Sequence, residues 1–254
     1  MSFAARALAI DVTQDRYDFV APAPPLRPFI ESLWVHHIPL GSDNLRLLPD
    51  GKMELIWTAG IGVIVNGPQS HWFDRPVPAP LVAFGARFFP GAAPALLRVP
   101  AGELVDGRVL LEEIDPLLAV RLDRRLQRAR FDDEAFAVFN EELVRRLDLS
   151  PPPDPVIRHA VELLANSSIT VADVADRVFV SERQLQRRFA ERVGYGPKTL
   201  QRILRFQNAV TQLSGGARLA QAAALAGYAD QSHLFRESRR LAGIPPRDLI
   251  GWTH

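Results

Sequence analysis

The stretch "SERQLQRRFAERVG", residues 181–194, gathers four guanidinium groups and two primary amides into one short segment. A guanidinium is a permanently charged planar fork that donates paired hydrogen bonds to carboxylates, phosphates or the edge of guanine. A primary amide both donates and accepts, as the edge of adenine requires. Arg183 and Arg187 are four residues apart and share one helical face, while Leu185 and Phe189 share another. The segment therefore reads as a helix that buries one side and presents guanidinium groups on a different one. A solvated surface has that pattern, and so does a helix lying in a groove of DNA.

The elements around this segment decide between the two. Downstream of "SPPPDP", Ser150 to Pro155, nearly every stretch has helical periodicity, with helices expected over 155–165, 171–177, 181–192, 197–213, 219–226 and 230–241 and a short final one near 246–250. Thr170, Ser181, Pro197 and Asp230 stand where a cap or a first helical residue belongs. Three consecutive prolines cannot continue a helix, so 150–155 reads as a stiff linker between residues 1–149 and residues 156–254.

Charge divides along the same boundary. Residues 154–254 hold 14 Lys and Arg against 9 Asp and Glu, a net of +5, whereas residues 1–153 carry a net of −4. A basic half joined to an acidic half suggests that only the former meets a polyanion. The 47 % hydrophobic and 23 % charged content is that of a globular protein, with no apolar run long enough to span a membrane and no secretory leader in "MSFAARALAIDVTQDRYDFV". The absence of cysteine removes disulfides, thiolate metal sites and cysteine nucleophiles, and a cytoplasmic location is the simplest expectation.

Residues 1–110 are rich in proline, glycine, valine and aromatics, with "SLWVHHI", "MELIWTAG", "GVIVNG" and "PLVAFGARFF" as short strands between turns. "DPLLAVRLDRRLQRA" and "DDEAFAVFNEELVRRLD" follow as amphipathic helices, acidic at the start and basic at the end. The fold class expected is α+β: a β-rich N-terminal domain followed by a helix pair near 114–148, then an all-α domain. The helix pair either packs on its own domain or forms a homodimer interface.

The all-α part contains a repeat. "VADVADRVFVSERQLQRRFAERVGYGP" and "LAQAAALAGYADQSHLFRESRRLAGIPP" each offer a short helix with a central alanine, a turn, a second helix, then glycine and proline. Ala175 matches Ala223, Leu185 matches Leu234, Gly194 matches Gly243 and Pro197 matches Pro246, with one extra residue in the second turn. The small alanines let paired helices approach closely, as a helix-turn-helix requires. Between the units, Leu200, Ile203, Leu204, Val210 and Leu213 line one face of a long connecting helix that Gly215 and Gly216 end.

On these motifs, with "RFQNA" and "ALAGYADQSHLFRESRRLAGIPPRDL", the last 100 residues resemble the DNA-binding domain of the AraC family of bacterial transcription regulators. A second resemblance, carried by "LPDGKMELIW" and "RFFPGAAPALLRVPAGELVDGRVLLEEI", is to an N-terminal domain found in a subset of such regulators. The first implies sequence-specific binding of double-stranded DNA, with RNA polymerase as a protein partner, and a small-molecule effector sensed by the N-terminal domain. It places Arg183, Gln186 and Arg187 of the first unit, and Gln231, Ser232, His233, Phe235 and Arg236 of the second, toward the bases. Arg188, Lys198, Arg202 and Arg239 are assigned to phosphates, which position without reading sequence. His233 has packing or capping as its second role.

Two positions depart from the family pattern. Phe179 stands where the first turn usually has glycine, which implies strain or a different backbone. Ser238 stands where the second unit usually buries a phenylalanine, a loss worth about 2–4 kcal/mol unless refilled, so a looser second unit is expected.

For the N-terminal domain, Trp34, His36, Trp57, Trp72, Phe84 and Phe88 are candidates to line an effector pocket, with His37, His71, Asp50 and Glu54 as further polar groups; an ordinary aromatic core is the alternative. His36 and His37 are adjacent, so on a strand they point to opposite faces and cannot both bind one metal. No catalytic, metal or cofactor motif is found, and no catalytic residue is assigned. The competing classes are an enzyme, or a ligand-independent adaptor, fused to a DNA-binding domain.

Overall fold

The computed structural model describes residues 15–39, 44–76, 81–166 and 168–249. The segment before Asp15, Pro80 at the head of the last expected strand, and Ile250 at the end of the last expected helix lie outside the described residues.

The N-terminal half begins with strands β1 (Arg16–Val20), β2 (Ile30–Ile38), β3 (Asn44–Leu47), β4 (Glu54–Thr58), β5 (Gly62–Asn66), β6 (Phe73–Pro76) and β7 (Leu81–Phe88). Helix α1 (Ala93–Leu97), a 3-10 turn (Ala101–Leu104), strand β8 (Arg108–Leu110), and helices α2 (Leu111–Ile114), α3 (Pro116–Leu126) and α4 (Asp132–Leu147) follow. Six strands form an antiparallel sheet in the order β1-β2-β7-β4-β5-β8, and β3 pairs with β6 in a separate ribbon.

Strand alternation gives the large sheet two distinct faces. On one, Leu33, Val35, Leu55, Trp57, Phe84 and Phe88 pack with Leu118, Leu122, Phe136 and Phe139 of the helix pair. The pair thus covers its own sheet. Asp132, Asp133 and Glu134 open α4 and Arg145 and Arg146 close it, the arrangement that complements a helix dipole. Glu142 of α4 is fully buried and accepts from Arg121 at 2.9 Å and Arg125 at 2.8 Å on α3, and from Arg145 at 3.0 Å. A buried carboxylate is tolerated only with such partners, so this cluster fixes how the two helices sit.

The C-terminal half consists of α5 (Pro155–Leu164), α6 (Val171–Arg177), α7 (Glu182–Arg192), α8 (Pro197–Ser214), α9 (Leu219–Leu225), α10 (Gln231–Ala242) and a 3-10 turn (Pro246–Leu249). Asp154 starts α5 by accepting from the Val156 and Ile157 amides. Thr170 and Ser181 cap α6 and α7 with capping boxes completed by Asp173 and Gln184. Four residues separate α6 from α7 and five separate α9 from α10. The larger core gathers Ile157, Val174, Leu185, Phe189, Leu200 and Phe206; among the described residues the second unit's own buried cluster is Ala209, Ala223, Ala226, Tyr228 and Leu234.

The halves are not merely tethered by the prolines. Leu48, from the N-terminal half, belongs to the larger helical core, with Trp72 and Val105 packed against it. Gln207 of α8 donates to the Pro49 carbonyl at 2.6 Å. Arg46 is clamped by Asp74 at 2.7 and 2.8 Å, lies over the Trp72 ring at 4.2 Å, and donates to the Ala242 carbonyl at 3.3 Å. The Trp72 indole lies close against Gly243, where an added Cβ would come within 2.3 Å of it. At φ +71° that position also favours glycine on backbone grounds.

Candidate nucleic-acid interface

The first helix-turn-helix unit is α6 and α7. Leu185 and Phe189 are fully buried, which turns Arg183, Gln186 and Arg187 to solvent on the opposite side of α7. The turn carries Phe179 at φ +57°, a left-handed conformation that is unfavourable for an aromatic residue, with the side chain 94 % exposed. Of the two outcomes the sequence allowed there, strain is the one found.

In the second unit Asp230 caps α10 by accepting from the His233 amide at 2.7 Å. Leu234 is buried, and Gln231, Ser232, Phe235 and Arg236 are exposed. His233 differs from them: its ring meets Tyr228 edge-on at 5.1 Å, so it packs between α10 and the turn before it. Ser238 is fully buried and donates to the Ile244 carbonyl at 2.6 Å. A hydrogen bond to the chain beyond α10 therefore stands where the family pattern buries a phenylalanine, and Trp72 lies against the helix end.

The residues assigned to phosphates divide. Lys198 is exposed and its ammonium donates to Gln201 at 3.1 Å; Arg239 is exposed and lies over the Phe235 ring at 5.7 Å. Arg188 donates to Asp154 at 2.8 Å while remaining 41 % exposed. Arg202, like Arg188, has a carboxylate partner within the protein. Its guanidinium donates to both carboxylate oxygens of Glu237 at 3.1 Å and so joins α8 to α10. The sequence signal was there, a basic residue on one helix and an acidic one on another, but only the crossing of the helices pairs them. Arg205, stacked over Tyr228 at 4.5 Å, is a second joint that sequence reasoning missed.

The candidate effector residues are not brought together. Trp34 and His36 face a cavity of about 300 Å³, whereas Trp57, Phe84 and Phe88 lie on the opposite face of the sheet, in the core against the helix pair. Trp72 lies at the seam with α10. The reason is the strand period: Trp34 and His36 alternate with Leu33, Val35 and His37 along β2. His37 accordingly meets Asp132 of α4 at 3.1 Å, while His36 meets Asp15 at 2.8 Å. Burial holds the His36 imidazole below its ordinary pKa, against the opposing pull of Asp15.

The cavity also recruits residues that sequence reasoning missed, among them Tyr17, Asn66, Arg75 and Arg87, and Leu204, Gln207 and Thr211 of α8. The Trp34 ring crosses Gly85, whose absent side chain leaves room for it, and stacks on Tyr17 at 5.3 Å. Arg87 donates to Glu54 at 2.9 Å. Among the described residues no cluster of three metal-binding side chains occurs, and no helix is long and apolar enough to cross a membrane.

Fold and exposed helix faces together define a protein with two helix-turn-helix units set on one connecting helix. Residues 174–250 match a family described as a helix-turn-helix domain, and residues 18–110 match a domain of unknown function (DUF6597). A protein of Streptomyces lividans, whose name reads AraC-like transcription regulator, is 39 % identical over 99 residues, covering 37 % of this chain and 33 % of that protein. The chain thus aligns with about a third of the length of that curated relative. A solved AraC-type regulator from Chromobacterium violaceum is 27 % identical, covering 37 % of this chain and 88 % of its own, with a TM-score of 0.36. ToxT from Vibrio cholerae is 10 % identical, covering 94 % of this chain and 98 % of its own, with a TM-score of 0.44. The C-terminal part of the chain is thus a helix-turn-helix domain, similar to those of AraC-type transcription regulators.

Proposed function

We propose that this protein is a sequence-specific DNA-binding transcription regulator that responds to a small molecule through its N-terminal half. The observation that carries the reading is the pair of capped helices, α7 and α10, each with its apolar side buried and its N-terminal polar side exposed. In a helix-turn-helix the N-terminal part of the second helix reaches base edges in the major groove. Arg183, Gln186 and Arg187, with Gln231, Ser232 and Arg236, are the readers in this assignment, and Phe235 is suited to thymine methyl groups. Lys198, Arg188 and Arg239 serve phosphates. His233 is retained mainly as packing, and no residue is given a catalytic role.

The location of the cavity supports effector response over a ligand-independent adaptor. Its walls include the large sheet and α8, the helix that spaces the two units. A ligand seated there would touch both halves, so its binding energy would bias the relation between them. A cytoplasmic site of action follows from this role, with RNA polymerase as the natural protein partner of a DNA-bound regulator.

The test uses the full chain and genomic fragments selected by the protein itself. Neutralising several phosphates releases counterions, so specific binding should weaken steeply as salt rises, and Arg183→Ala/Arg187→Ala should abolish selection. Binding without salt dependence, or undiminished selection by that variant, contradicts the reading.

A further inference from the structure

The cavity holds a set of polar groups that the protein itself leaves unsatisfied. Arg75 of β6 is 7 % exposed and, among the described residues, no carboxylate forms an ion pair with it. Its nearest acidic influence is Glu54, which is already hydrogen-bonded to Arg87 at 2.9 Å. Arg108 on β8 adds repulsion, and with burial it disfavours the charge on Arg75. The Trp34 indole N–H is buried without an acceptor, and the Asn66 side-chain oxygen is buried without a donor. Both residues line the same cavity as Arg75. Buried polar groups are ordinarily paired, and a buried guanidinium without a counter-ion is the costlier exception.

The remaining charges are accounted for. Lys52 is held by Glu31 at 2.5 Å. Asp50 acts on Glu54 and Arg87, and its charge repels an anion from their neighbourhood. Arg75 is acted on by Arg108 and Glu54, and Asp50 is not among the charges that act on it. Ile38, Ile56, Phe73, Ala83 and Leu204 supply apolar wall to the same cavity.

We propose that the effector is a small organic acid whose carboxylate pairs with Arg75 and whose apolar body lies against Trp34 and Ile56. A guanidinium fork matches a carboxylate in two parallel hydrogen bonds, and the indole N–H is a further donor to it, whereas the Asn66 oxygen would accept from a hydroxyl or amide N–H on the body of the ligand. One uncompensated cation suits a monoanion; an inorganic phosphate would leave the apolar wall uncovered. At about 300 Å³ the cavity is at the small end of ligand sites. The inference rests on the effector-responsive reading above and gives it a chemical class.

The test titrates the full chain with 3-phenylpropanoate and hexanoate, with their uncharged amides, and with inorganic phosphate. Thermal stability and tryptophan fluorescence are the readouts. The acids should raise the melting temperature and change the emission, since a ligand binding only the folded state stabilises it. The amides and phosphate should do neither, and the emission change should vanish in Trp34→Phe. Arg75→Met should weaken acid binding by about tenfold or more, as loss of a charge-assisted pair implies. It should not lower the melting temperature of the ligand-free protein, because it removes an uncompensated buried charge. Arg75→Lys, which keeps the charge and loses the fork, should retain the preference for acid over amide at reduced affinity. Equal response to acids and amides, an equal response to phosphate, no response to either acid, or unaltered acid binding in Arg75→Met overturns the proposal. DNA binding is measured without acid in the same preparations. A chain that selects DNA but ignores the acids fails only this inference, and one that binds the acids but not DNA fails only the regulator reading.

Discussion

Arg202 of α8 and Glu237 of α10 face each other in a two-pronged ion pair, with the carboxylate side chain only 13 % exposed. The pair ties the second recognition helix to the helix that connects the two units. Removing one member leaves a mostly buried charge alone, which costs more than the pair contributes.

Arg202→Ala should therefore lower stability by about 1–3 kcal/mol in denaturant titrations. It should leave the salt dependence of DNA binding nearly unchanged. Lys198→Ala, by contrast, should leave stability alone and weaken cognate and random DNA alike, reducing the salt slope by about 1. A reduced salt slope with intact stability in Arg202→Ala would return that residue to the phosphate contacts.

Arg187→Ala should relax preference at one defined base pair and cost about 1–3 kcal/mol on the selected site. Competition against all single-base variants of that site reads this directly. Uniform loss across sequences would show that Arg187 holds phosphate instead.

The rigid α8 should set the two recognition helices about one helical turn apart on the duplex, roughly 10–10.5 base pairs. Base-by-base substitution of a bound site should then give two short determinants, the one facing Arg183, Gln186 and Arg187 being the sharper. The slight core of the second unit, built on Ala209, Ala223 and Leu234, is the reason for that asymmetry. One continuous determinant would rule the arrangement out.

Phe179→Gly should stabilise the protein by about 0.5–1 kcal/mol. Glycine removes the left-handed penalty of about 1–2 kcal/mol, partly offset by its greater freedom in the unfolded chain. The phenyl ring is almost wholly in water, so no packing is lost. A destabilised variant would mean that the ring has a partner in the folded protein.

His36 gives a dependence on pH. Its folded pKa lies below the ordinary value because burial opposes the charge, so the unfolded chain takes up the proton more readily. Its contribution to stability is complete above about pH 6.5 and declines as pH falls below that value. His36→Gln should flatten the stability curve over this acid range relative to the parent protein. Identical slopes in the two proteins would contradict the assignment.

Much of the helical half was legible because its punctuation is local. Thr170, Ser181 and Asp230 cap within three residues, and Pro155 and Pro197 open helices by their own geometry. The departures at Phe179 and Ser238 were also legible, though the bond from Ser238 to Ile244 was not, since it depends on how the chain returns after α10. The cavity was read poorly. Aromatic type marked Trp34 and Trp57 equally, yet the strand register puts them on opposite faces of one sheet. Arg75 carried no signal at all, because it acquires its role from the way β6 is set against the large sheet and α8, which local sequence does not reveal.

The seam at Leu48, Trp72 and Arg46 has a practical consequence for recombination. A graft that moves residues 156–254 behind an unrelated sensory half would carry a helical core with one apolar filler missing and Gly243 bare. Interchange of modules in this architecture would have to transplant the ribbon of β3 and β6 along with the helices, and the evolutionary unit would then straddle the proline stretch.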